Sequence, residues 1–119
     1  MVKSLRIYVA GPYSPGECDT HSAVALATRN TESAIEIGIE IFKKGHVAFI
    51  PHLSHYVHIN KNCPLDLPWY TIDNTFLDNW AEAIYYMSPS KGADAELKRA
   101  KDLGLKVFYN LNEIPEMRE

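Results

Sequence analysis

The stretch Ser88–Val107, SPSKGADAELKRAKDLGLKV, organises the reading of the whole chain. It follows an apolar run, Ala83-Ile84-Tyr85-Tyr86-Met87, whose β-branched and aromatic residues predict a buried strand. Ser88, Pro89, Ser90 and Gly92 break that strand. From Ala93 to Leu103 the apolar positions Ala93, Leu97, Ala100 and Leu103 recur at helical spacing. Gly104 closes the helix as the residue beyond its last turn, and Lys106-Val107-Phe108-Tyr109 predicts the next strand. The unit is strand, polar turn, helix, strand. In a parallel sheet such a turn lies at the carboxyl edge, where open α/β sheets bind ligands.

Ser90, Lys91 and Gly92 stand at the start of that helix, and Glu96 lies about one turn inside it. A helix N-terminus offers unpaired N–H groups and the positive end of a dipole, so it favours an anion such as phosphate, and Lys91 adds charge of the same sign. A plainer reading stands beside this one. Ser90 is a helix cap, and Glu96 is a solvated first-turn acid complementing the dipole.

Working outward, Leu5-Arg6-Ile7-Tyr8-Val9-Ala10 predicts a first strand ending in a turn-forming loop, Gly11-Pro12-Tyr13-Ser14-Pro15-Gly16. Gly11 and Gly16 have the spacing of a P-loop, yet Glu17 and Cys18 stand where Lys and Ser or Thr are needed. A carboxylate there would repel phosphate, so a P-loop NTPase is excluded. The glycines do not form the dinucleotide fingerprint either.

Between Ala23 and Lys44 two periods compete. Ile35, Ile37, Ile39 and Ile41 alternate as in a strand, while Ile35, Ile39 and Phe42 fit a helical stripe. A capping-box pattern at Ser33 and Glu36, and the ending Lys43-Lys44-Gly45, favour a helix. Val47-Ala48-Phe49-Ile50 then predicts a strand that Pro51 stops. His52, His55 and His58 follow it. With no acid at a ligand offset they are expected to line a pocket rather than to hold zinc. Residues 60–67 predict an irregular loop, and Trp69–Asn79 a helix with Phe76 and Leu77 inward and carrying Asp73 and Asp78.

With 119 residues, the chain is expected to be a single domain with one core. A net charge of −3 and the lack of a basic run argue against nucleic acid as a partner. No apolar stretch of membrane-spanning length and no signal-peptide pattern is present, so no membrane partner is expected. Cys18 and Cys63 are far apart with no CxxC, which predicts a reduced, cytoplasmic chain. A phosphoacceptor receiver domain shares the expected fold, but it needs acids where Ala10-Gly11 and Met87-Ser88 stand, and it is set aside.

Taken together, Tyr8 in a strand ending Val9-Ala10-Gly11-Pro12-Tyr13, the Gly45-His46 turn into a strand closed by Pro51-His52-Leu53, the acid-bearing helix, and Ser90-x-Gly92-x-x-x-Glu96 resemble the nucleoside 2-deoxyribosyltransferase superfamily. The nearest branches are its small members of unknown role and the deoxynucleoside-5′-monophosphate N-glycosidases. The resemblance runs from Leu5 to Tyr109, and the Ser-x-Gly-x-x-x-Glu turn is its most specific part.

The resemblance implies a flavodoxin-like α/β sandwich with a mostly parallel sheet of four or five strands. It also implies cleavage of an N-glycosidic bond in a nucleoside or nucleoside 5′-monophosphate, without a cofactor. Glu96 matches the nucleophile that forms a glycosyl-enzyme, and Tyr8 the tyrosine that positions it. Asp73 matches the acid that serves the departing base, with Asn74 and Asp78 as alternatives for that place. Ser90 and Gly92 match a phosphate-binding turn, with Lys91 between them. Gly11, Pro12, Tyr13, His52 and Asp78 are the further substrate-binding candidates. The monophosphate-specific branch carries an arginine in the first loop, which this chain lacks. The resemblance also implies a homo-oligomer, a dimer, for which Trp69, Tyr70 and Trp80 are candidate anchors. Water as acceptor gives a hydrolase and a second base gives a transferase. A catalytically inactive nucleotide sensor is the alternative to an enzyme.

Overall fold

The computed structural model describes residues 3–13, 21–56 and 69–117. The apolar runs form four strands, β1 (Arg6–Ala10), β2 (Val47–Phe49), β3 (Ala83–Tyr86) and β4 (Lys106–Phe108). They make one all-parallel sheet in the order β2-β1-β3-β4. Among the described residues the connections include the helices α1 (His21–Lys43), α2 (Trp69–Asn79) and α3 (Lys91–Asp102), with short 3-10 turns at Pro51–Ser54 and Leu111–Glu113. This is a flavodoxin-like α/β sandwich, as the sequence predicts. Among the described residues no helix is long and apolar enough to cross a membrane.

Alternation along the strands sorts side chains between the two faces. Ile7 and Val9 of β1, with Ala83 and Tyr85 of β3, pack with Ala34 and Ile41 of α1 and with Ile114. Tyr8 and Ala10, with Ile84, pack instead with Leu77 of α2 and with Ala93 and Ala100 of α3. A fully buried aliphatic side chain contributes roughly 1.5–3 kcal/mol relative to its exposed state, so both faces are held mainly by apolar burial. Because β2 and β3 flank β1 on opposite sides, the strand order reverses at β1, and a crevice at its carboxyl end is the expected ligand place.

Both helix endings read from sequence hold. Gly45 and Gly104 adopt φ of 91° and 76°, left-handed conformations that any side chain would strain. Three local expectations need correction. Ser33 is not a capping residue: α1 already runs from His21, and the Ser33 hydroxyl donates to the Arg29 carbonyl 3.1 Å away, as a mid-helix serine does. Phe76 is not inward but 38% exposed, its ring stacked on Phe49 at 4.1 Å and 12°. Trp80 is half-buried, edge-on to Phe49 and Phe76, rather than an open anchor. The side chains of Trp69 and Tyr70, and all of His58, lie outside the described residues.

Candidate active site

Tyr8 is fully buried, and the strand alternation aims its ring at the α2–α3 side. Its hydroxyl donates to Glu96 Oε2, one turn into α3, in a short hydrogen bond. The Tyr8 ring lies 5.6 Å from that of Phe49, which in turn stacks on Phe76. Glu96 therefore faces into the crevice at the carboxyl end of β1 and is not the solvated first-turn acid of the plainer reading.

Burial and mutual charge shift the titration of this group. Burial pushes the Glu96 carboxyl up to about 7, the Asp73 charge pushes in the same direction, and the Tyr8 hydroxyl opposes both. Burial alone pushes Asp73 up to about 6. The two carboxyls therefore titrate as a coupled pair, the charge of one making ionisation of the other harder. The Tyr8 phenol is raised by burial and by the charges of Glu96 and Asp73, so it keeps its proton and acts as a donor. Two carboxyls and a phenol thus meet, with one carboxyl able to stay protonated while the other is ionised near neutral pH.

Two cavities open beside this group. One of about 330 Å³ is walled by Phe49, Ile50, Leu53, Ile72 and Phe76, with Asp73 among its few polar groups. The other, of about 470 Å³, lies between α2 and α3 and is lined by Asn74, Asp78, Glu96, Lys98, Arg99 and Asp102. An apolar wall thus lies on one side of Asp73 and a polar groove beside Glu96.

The other candidates fall into separate places. Asp78 is engaged by Arg99, whose Nε and Nη2 donate to its two oxygens at 2.9 Å each, and this pairing holds its carboxyl below the usual range. Of the acids on α2, Asp73 is thus the one whose environment favours a retained proton. Asn74 sits beside Glu96 in the polar groove. Ser90 is the N-cap of α3, its hydroxyl accepting from the Ala93 amide at 3.0 Å. Lys91 and Gly92 are exposed in the first turn, and a side chain at Gly92 would meet nothing within 4 Å.

Gly11, Pro12, Tyr13 and His52 form a second cluster on the α1 side. His52 Nε2 donates to the Gly11 and Pro12 carbonyls at 3.1 and 3.0 Å. Its Nδ1 has no partner among the described residues, and burial lowers the His52 pKa, so the ring is neutral. Next to it, the Thr28 hydroxyl donates to the Val24 carbonyl at 2.8 Å and must accept from His55 Nε2, also at 2.8 Å. His55 Nδ1 is hydrogen-bonded to the Tyr13 hydroxyl at 2.8 Å. Asn30 completes the anchor by donating to the Tyr13 carbonyl. The loop after β1 is thus pinned by buried histidines that hold backbone and hydroxyl groups rather than line an open pocket. Gly11 is needed for packing, since a Cβ there would come within 2.7 Å of Met87 Sδ. Among the described residues no group of three or more His, Cys, Asp or Glu is placed to hold a metal.

A doubly wound parallel sheet with a buried Tyr–Glu pair and a second raised carboxyl at the strand reversal is the class of protein defined here. No family model and no curated protein matches the chain.

Proposed function

We propose that this chain cleaves the N-glycosidic bond of a nucleoside or nucleoside 5′-monophosphate through a covalent glycosyl ester on Glu96, and that it is a divergent relative of the nucleoside 2-deoxyribosyltransferases. The observation that carries the reading is the hydrogen bond from buried Tyr8 to Glu96, with Asp73 near enough to shift the charge of both.

The chemistry runs as follows. Departure of the base leaves an oxocarbenium-like sugar, which the Glu96 carboxylate stabilises and then traps by forming a C1′–O bond as the C1′–N bond breaks. The electron pair leaves on the base nitrogen, and protonated Asp73 supplies its proton. Tyr8 holds the Glu96 oxygen in line and favours its ionised form. In the second half, Asp73 as carboxylate takes a proton from water, whose oxygen displaces Glu96 and releases the sugar. A second base in place of water gives a new nucleoside. No metal or cofactor enters these steps. A cytoplasmic location and a homodimer belong to the same reading, and light scattering at micromolar concentration tests the dimer, a monomeric mass counting against it.

The direct test is a chromatographic screen of nucleosides and their 5′-monophosphates for release of free base. Turnover is expected from the wild type, with a loss of about 10³-fold or more in Glu96→Gln, corresponding to roughly 4 kcal/mol of transition-state stabilisation. Equal turnover in Glu96→Gln removes the assignment.

A further inference from the structure

Asp78 is the acid of α2 that the proposed chemistry leaves unused, and its partner stands next to the nucleophile. Arg99 Nε and Nη2 donate to the two Asp78 oxygens at 2.9 Å each, a bidentate fork that bridges α2 and α3. Glu96 and Arg99 are three residues apart on α3, a spacing that puts both side chains on one face of the helix. Both line the polar groove between the two helices. An arginine at that spacing is an ordinary ion-pair partner for a glutamate, yet this one is turned to the other helix.

The ionisable groups around Glu96 are Tyr8 from β1, Asp73 and Asp78 from α2, and Lys98, Arg99 and Asp102 on α3 itself. Burial and the Asp73 charge push the Glu96 carboxyl up to about 7, and the Tyr8 hydroxyl, not a cation, opposes them. Asp94, the acid in the first turn of α3, accepts from the Tyr86 hydroxyl at the end of β3. Lys98 is two residues from Glu96, which turns it to a different side of the helix. Arg99 is therefore the cation best placed to reach Glu96, and Asp78 neutralises it. With Arg99 53% and Asp78 28% exposed, the fork adds little to stability, and its consequence lies in where it keeps the charge.

We infer that Asp78 is a positioning residue that holds the Arg99 guanidinium off Glu96, so that the Glu96 carboxyl stays bonded to Tyr8 and open to a ligand in the groove. This rests on the glycosidase reading of Glu96 and deepens it. Asp78 does not touch the reacting atoms. Released from Asp78, Arg99 swings back along α3 and forks onto Glu96 instead. The carboxylate is then stabilised, weaker as a nucleophile, and covered on the side that faces the groove.

The test follows the Glu96 carboxyl against pH by heteronuclear NMR, assigned by its loss in Glu96→Gln, together with kcat/KM for base release from nucleosides and their 5′-monophosphates. In Asp78→Ala the Glu96 titration is expected to move down by about one unit or more, with kcat/KM about tenfold lower. Asp78→Asn, a milder change, moves it the same way by less. Asp78→Glu keeps the pair and leaves the titration in place, and Arg99→Gln, which leaves Asp78 charged, does not lower it. The double variant Asp78→Ala/Arg99→Gln returns the titration close to the wild-type position and recovers most of the lost kcat/KM, which the loss of a merely structural pair would not do. An unmoved titration in both Asp78→Ala and Asp78→Asn overturns the inference, as does a shift that persists in the double variant. An unchanged kcat/KM beside a shifted titration overturns its bearing on the reaction. The expected titrations without base release from any variant remove the glycosidase reading and leave the shielding of Glu96 standing.

Discussion

On the α1 side of the sheet, Ile7, Val9, Ala34, Ile41 and Ile114 close on one another, and the polar groups above them, His52 and His55, are hydrogen-bonded to the loop after β1. On the α2–α3 side the same strand contributes Tyr8, and two carboxyls pushed to about 6 and 7 sit beside it. The first face spends its histidines on holding the loop after β1, with His52 Nδ1 left without a partner among the described residues. The second leaves Asp73 and Glu96 raised, which lowers stability at neutral pH and is what a carboxylate chemistry near pH 7 requires. The difference separates residues that hold the loop after β1 in place from residues available to a ligand.

The largest effect on the scaffold belongs to the α1 face. Ile41→Ala removes a fully buried side chain and is expected to cost about 2–5 kcal/mol by denaturant unfolding, with a pH dependence of stability like that of the wild type. A cost under 1 kcal/mol would show that this face is not the structural one. Glu96→Gln should act in the opposite sense. Its folded value of about 7 lies above the ordinary 4.5, so the folded state binds the proton more tightly than the unfolded state. The stability tied to this group is full below the unfolded value and is lost as pH rises through about 7. Glutamine escapes that loss, so the variant should be more stable than wild type by roughly 1–3 kcal/mol at pH 8 and nearly equal to it at pH 4. Destabilisation at pH 8 would mean that Glu96 is a structural ion rather than a strained one. Smallest is Ser90→Ala, expected to cost about 1 kcal/mol through the lost bond to the Ala93 amide, as for an ordinary N-cap.

The elements with short apolar runs and clear punctuation were legible. Ala83–Tyr86 and Lys106–Phe108 flank a helix that begins behind Ser90 and ends at a left-handed Gly104, and Trp69–Asn79 is the helix its pattern predicts. The start of α1 was not, because Ser33 and Glu36 offer a false capping signal within the helix. The inward face of α2 was only half legible. Phe76 turns sideways onto Phe49, a contact set by where α2 lands on the sheet and not by its own period. His52 lies in the 3-10 turn Pro51–Ser54 and His55 caps its end, and residues three apart in such a turn lie on one side. That explains why both rings are buried together. For the site, Glu96 and Tyr8 were reached through resemblance. Spacing alone could not tell a first-turn acid from a buried one, since the difference lies in a partner 88 positions away. The Tyr86–Asp94 bond carried no sequence signal at all.

The central claim is that Glu96 bonds covalently to the sugar. A 2′-fluoro nucleoside analogue slows the second half of the reaction, because fluorine destabilises the oxocarbenium-like state, and so lets the ester accumulate. Intact-mass spectrometry followed by peptide mapping is the most direct measurement of this. The account predicts one sugar added per chain, mapped to Glu96 and absent in Glu96→Gln. An adduct on another residue, or base release from the analogue at full rate with no adduct at any time, contradicts it.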